Sequence, residues 1–159
     1  MIPIQEAIIS QAWLKFSNRD YLKEWRLDQL KEFRVRVTGF SKINLNEVDS
    51  PELVDVSHAN ASWWMLELEV VSLCKKQMST GRFNELILLV DQDGFQFNYV
   101  REDHLCFYSD FSQKNGFRRL HGQDLFPKIK AVGALTFLLP DDDEAQYYLS
   151  MESGAVCEA

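Results

Sequence analysis

This chain lacks most of the features that mark a known chemistry. No apolar run approaches the roughly 20 residues that a membrane-spanning helix needs. The opening segment, MIPIQEAIISQAWLKFSNRD, has no basic start, is interrupted by Glu6, and offers no small-residue cleavage site after an apolar stretch. It therefore does not read as a secretory leader, and a cytoplasmic protein is expected. Cysteine is scarce and odd in number: Cys74, Cys106 and Cys157 have no pair spacing, which excludes a disulfide framework and points to thiols in a reducing compartment. Basic charge is also short. With 17 Lys and Arg against 24 Asp and Glu, the net charge is −7. Phosphate neutralisation dominates nucleic-acid affinity, so this balance argues against a nucleic-acid partner and against anionic membranes. There is no phosphate loop, dinucleotide fingerprint, nucleophile elbow or zinc-protease helix. Internal repeats and low-complexity tracts are missing as well.

What remains is a chain with 46% hydrophobic residues, enough for one folded domain with a core of its own. Its strongest local signal is FNELILLVDQDGFQFNYV, residues 83–100. Leu86 to Val90 is apolar on both faces. Phe95, Phe97 and Tyr99 then alternate with Gln96 and Asn98. Asp93-Gly94 between two such runs predicts a tight hairpin turn, because glycine accepts the positive φ the turn requires.

Other elements are placed around that hairpin. Pro3 followed by Ile4, Ile8, Ala12 and Phe16 at helical spacing predicts a first helix ending at Ser17-Asn18. Asp20 predicts a cap for a second, with Leu22, Trp25, Gln29 or Leu30, and Phe33 on one face. The period then becomes two. Val35 and Val37 alternate with Arg34, Arg36 and Thr38, and Gly39 predicts a bulge or a close backbone approach. Residues 41–62 form a long polar connection, with a short strand expected over 53–56. Trp64, Leu66, Leu68 and Val70 share one strand face, with Trp63, Met65, Glu67 and Glu69 on the other. A short strand is expected after residue 104 and an irregular stretch over 111–122, held by Phe117 and Leu120. ALTFLL, residues 134–139, predicts a buried strand stopped by Pro140. The acidic turn 141–144 follows, and a last strand over 145–151 is expected to pair back. The division is thus a helical segment over 1–33 packed on the domain, a β domain over 34–153, and a flexible tail over 154–159.

From Val35 to Ser153 this order resembles a family of bacterial immunoglobulin-like domains of unknown function found in secreted and lipoprotein antigens. The resemblance rests on the strand over 64–72, the turn Asp91-Gln92-Asp93-Gly94 after a buried strand, the segment FPKIKAVGALTFLLP over 126–140, and the last strand over 147–151. Members follow a leader or lipid anchor, where this chain has its two expected helices, and residues 105–125 are longer than the pattern. The resemblance implies a mainly β fold, an antiparallel immunoglobulin-like β-sandwich, and implies no catalytic residue. An oligonucleotide-binding-type barrel, starting with the strand over 34–40, is the alternative.

Candidate chemistry is sparse. Asp103, His104 and Cys106 could begin a metal set, but two further ligands are not evident. Asp91 and Asp93 form a carboxylate pair better explained by turn hydrogen bonding, and residues 141–144 lack calcium-ligand spacing. No cofactor and no metal is expected. The most distinctive surface composition is the aromatic and arginine mixture of Phe107, Tyr108, Phe111, Arg118 and Arg119, beside Lys114 and His121, typical of interface hot spots. Trp63 joins these five as a candidate partner contact, since one of the tryptophan pair is expected to be exposed. The expected function is a non-catalytic protein-interaction domain of a small bacterial cytoplasmic protein. Its partner is another protein, such as a basic toxin neutralised by an immunity-type protein. A barrel binding single-stranded nucleic acid and an enzyme site assembled from Asp91, His104, Tyr108 and Arg118 are the competing readings, and a homo-oligomer stays open.

Overall fold

The computed structural model of the chain describes residues 2–18, 31–43, 60–79, 87–100, 120, 122–151 and 155–158. In chain order the elements are β1 (Ile2–Pro3), α1 (Ile4–Ser10), β2 (Leu14–Asn18), β3 (Lys31–Lys42), β4 (Ala61–Ser72), β5 (Met78–Ser79), β6 (Ile87–Asp91), β7 (Gln96–Asn98), β8 (Asp124–Leu125), β9 (Lys130–Pro140), β10 (Tyr147–Met151) and β11 (Ala155–Glu158). The fold is mainly β and is built from two antiparallel sheets. One has the order β1-β10-β6-β7, the other β11-β2-β3-β4-β9, and β5 pairs with β8 in a short ribbon. Among the described residues neither sheet closes on itself, so the barrel alternative is not the fold.

The core lies between the sheets. Alternation places Phe33, Val35 and Val37 of β3, Leu66, Leu68 and Val70 of β4, and Leu135 and Phe137 of β9 on the inner face of the larger sheet. Ile87, Leu89 and Leu149 meet them from the smaller sheet, all fully buried. Burying such side chains is worth roughly 1.5–3 kcal/mol each before chain entropy is set against it. β6 lies between β10 and β7, as its doubly apolar sequence requires, with Leu88 and Val90 buried on the opposite side from Ile87 and Leu89.

The hairpin forms as expected. Leu88 faces Asn98, Leu89 faces Phe97, and Val90 faces Gln96. Asp91 Oδ1 accepts hydrogen bonds from the backbone N–H groups of Asp93 and Phe95, each at 2.9 Å, and Gly94 sits at φ +89. These bonds make Asp91 a turn-former, since its carboxylate replaces a backbone acceptor. Phe95 stands at the turn and is 66% exposed, so it does not share the half-buried face of Phe97 and Tyr99.

Several expectations are corrected. Among the described residues there is one short helix, not two. α1 stops at Gln11, whose φ of 55 is left-handed and whose N–H bonds back to the Ala7 carbonyl at 3.1 Å. Phe16, assigned to that helix by spacing, belongs with Leu14 to β2, where they pair with Phe33 and Val35. Non-local pairing overrides the local helical period here. Most of the second expected helix, residues 19–30, lies outside the described residues, and its end at 31–33 is already strand. The last strand does not pair back on β9. Pro140 ends β9, the acidic turn carries the chain across, and β10 pairs with β6 in the other sheet, Tyr147 opposite Asp91 and Leu149 opposite Leu89. Residues 155–158 are no loose tail; they add β11 to β2, with Val156 opposite Ser17.

The outer face of the larger sheet is polar near one end. Arg36 donates to Glu69 at 2.6 Å and lies 4.6 Å from the centre of the Trp13 ring, while Lys130 stands 3.5 Å from the same carboxylate. Burial pushes the Glu69 carboxyl up, but the hydrogen bond and charge of Arg36, aided by Lys130, outweigh it and hold the group below its ordinary value. Farther along β9, Gly133 permits a close approach. A Cβ there would meet backbone atoms of Leu120 at 2.6 and 2.7 Å, and the Leu120 N–H bonds to the Ala134 carbonyl at 3.1 Å.

Candidate functional site

The site begins with the bulge in β3. Val37 faces Leu68, but Gly39 faces Glu67 and Phe40 faces Leu66, so one extra residue at Thr38 shifts the register. Strict alternation would send Phe40 and Lys42 to the outer face. The extra residue reverses their parity and turns both inward. The carboxylate end of Glu67 occupies the space where a side chain on Gly39 would lie, so a larger residue there would have to displace it. Lys42 then stands opposite Trp64 in register.

At this end of the sheets the aromatic residues do not fill the space between them. Phe40 stacks on Trp64 with ring centres 4.8 Å apart and planes 26° apart. Tyr147 meets Phe40 edge-on at 6.1 Å and Phe97 edge-on at 5.8 Å. Such offset and edge contacts are the preferred ring geometries. All four rings are half-buried against the core. They leave a cavity of about 240 Å3 whose lining includes Ile4 from α1, Phe40, Trp64 and Tyr147, with residues 140–143 at its rim.

The rim is acidic. Among the described residues Asp141, Asp142 and Asp143 line it, against a single cation, Lys42. The Lys42 ammonium lies 3.7 Å from Asp141, which also accepts from the Ser62 hydroxyl. The turn is held in shape by its own bonds: Asp142 Oδ1 accepts from the Glu144 N–H at 3.0 Å, and the Asp142 carbonyl accepts from the Ala145 N–H at 3.2 Å. It is also fastened to the hairpin turn, because the Gln146 N–H donates to Gln92 Oε1 at 2.9 Å. Burial, together with the negative charges of Asp91 and Asp142, raises the Tyr147 phenol above its ordinary value, so it stays neutral and a donor.

Among the described residues the cavity lining carries carboxylates, one amine, two amides, one phenol and aromatic faces, and no serine, cysteine or histidine. These groups can hold a cation with an apolar or planar body. Among the described residues no group of three or more His, Cys, Asp or Glu side chains stands ready to hold a metal ion. No helix among them is long and apolar enough to cross a membrane.

Of the six candidate contacts, Trp63 is the one that falls among the described residues. It is 5% exposed. The outer face of β4 is covered at that point, where Met65 and Thr136 are also buried and Trp63 accepts from the Ile43 N–H at 2.8 Å. Trp63 is therefore no open contact, and neither tryptophan of the pair is fully exposed. Phe107, Tyr108, Phe111, Arg118 and Arg119 lie outside the described residues, as do Asp103, His104 and Cys106. Cys74 is a buried free thiol. Of the residues that build the cavity, the sequence marks Trp64 as part of a strand face and 141–144 as an acidic turn. Tyr147, three residues past the acidic run, was the available local signal.

No protein-family model matches the chain, and no curated protein matches it. Among solved structures, a conserved hypothetical protein from Bacillus anthracis is similar to it over 75% of this chain and 81% of that one, at 14% identity and a TM-score of 0.49.

Proposed function

We propose that this chain is a non-catalytic protein-interaction domain on an immunoglobulin-like sandwich, and that its partner is a basic protein. The observation that carries the reading is the cavity between the sheet ends: an aromatic floor under a rim of three aspartates and one lysine. The net charge of −7 supports it, because an acidic surface steers a basic partner and repels nucleic acid. The order of strands and turns from 35 to 153, with two antiparallel sheets around one core, supports the immunoglobulin-like frame. A small cytoplasmic role, with a basic toxin as one partner of this description, is in keeping with the same charge balance.

The test is affinity capture on the immobilised protein, followed by binding of each retained protein in purified form. A basic protein should bind saturably, with affinity falling as salt rises. Retention of no protein, or only of acidic or neutral ones with no salt dependence, would overturn the reading.

A further inference from the structure

We infer that the cavity beside the acidic turn receives one arginine side chain of that basic partner; the inference rests on the protein-binding reading and names its recognition site. Four observations converge on this occupant. The first is size. A cavity of about 240 Å3 is smaller than the roughly 300–1,000 Å3 of sites for drug-sized ligands, so it suits one side chain rather than a helix or a folded segment. The second is the floor. The rings of Trp64, Phe40 and Tyr147 line it. A guanidinium plane stacks on such rings, and its aliphatic stem covers the apolar wall that Ile4 supplies.

The third is the rim. Asp142 and Asp143 bring carboxylates to the mouth, whereas the nearest cation, Lys42, is already within 3.7 Å of Asp141. A phosphate or carboxylate ligand would meet like charge here. A guanidinium would meet carboxylate acceptors for its forked donors. The fourth is rigidity. The turn that carries the aspartates is braced by its own backbone bonds and by Gln92, so the acceptors need little ordering when the ligand arrives. Lysine is the lesser fit, since a compact ammonium cannot stack and donate in one plane.

The test uses the full chain and three small probes: N-acetyl-arginine methylamide, its citrulline counterpart, and N-acetyl-lysine methylamide. The readout is the indole N–H resonance of Trp64, identified by its loss in Trp64→Phe. The arginine probe should shift that resonance saturably, in roughly the millimolar range expected of one side chain. Citrulline, of the same shape without the charge, should bind at least tenfold more weakly, and lysine more weakly than arginine. The double variant Asp142→Asn, Asp143→Asn keeps an acceptor for the Glu144 N–H, so it should fold with an unchanged melting temperature. It should lose about tenfold in arginine affinity. An unmoved Trp64 resonance, or equal binding of citrulline, overturns the inference. The two readings fail separately. A purified basic partner that binds the double variant as tightly as the wild type removes the cavity from recognition and leaves the protein-binding reading intact. Arginine binding in the cavity with no protein partner found does the reverse.

Discussion

Phe33 and Phe40 belong to the same strand and face the same way, yet one is fully buried and the other half-buried. Between them the chain passes from a filled interior to an incomplete one. At the Phe33 end, Val35, Leu68 and Val70 leave no surface open. At the Phe40 end, rings of the same apolar character surround a cavity. The chemistry of the residues hardly changes. What changes is what stands opposite: β6 and β10 supply Ile87, Leu89 and Leu149 to the first end, while the second is met by Tyr147, edge-on to Phe40, by Ile4 of α1 and by a polar turn. An aromatic side chain on an inner face thus reads as core or as site according to what stands across from it, which its own sequence neighbourhood does not contain.

The comparison can be broken by stability measurements. Leu68→Ala, at the filled end, should cost about 2–5 kcal/mol, because a void in a close-packed interior relaxes only in part. Chemical denaturation with an unchanged m-value is the measurement. Behind that end, on the outer face, Glu69→Gln should cost about 1–2 kcal/mol, since it leaves the Arg36 guanidinium short of its charged acceptor. The Nε of Arg36 is already buried without a hydrogen-bond partner among the described residues. This effect depends on pH with a definite sign. The Glu69 carboxyl titrates below its ordinary value near 4.5 in the folded state. Its contribution is therefore complete above that value and is lost as pH falls through the lowered one. The gap between wild type and Glu69→Gln should narrow as the medium is acidified well below 4.5, through the lowered value. The smallest effect is expected at the open end, where Trp64→Phe should cost less than about 1.5 kcal/mol, since the ring is only half-buried and has room to settle. A loss as large as that of Leu68→Ala would show that both ends are packed alike.

Much of the β architecture was legible in the residues. Period-two alternation marked β3, β4 and the hairpin, Asp93-Gly94 marked the turn, and Gly39 marked the bulge. Each is a local rule, written within a few positions. The misread parts depend on distant segments. Ile4, Ile8, Ala12 and Phe16 do have helical spacing, but Leu14 and Phe16 gain more by pairing with Val35 and Phe33 than a continued helix could offer. The acidic run 141–144 gives no local indication that the chain leaves one sheet for the other. The cavity was hidden for the same reason. It draws on α1, β3, β4 and β10, and Phe40 enters it only because a single extra residue reverses the parity of its strand. The bulge was foreseen; the face it would redirect was not.

The pairing of β11 with β2 has a bearing on how the chain folds. Val156 lies against Ser17, so this edge joins segments from opposite ends of the described chain. During synthesis β2 can dock on β3 early, but its other edge waits until residues 155–158 have left the ribosome. Closing so long a loop is slow compared with forming the hairpin. In the interval β2 presents a row of unpaired backbone donors and acceptors, the arrangement through which sheets of separate chains join. A chain shortened before Ala155 keeps that edge open for good, and its hazard is aggregation more than loss of core.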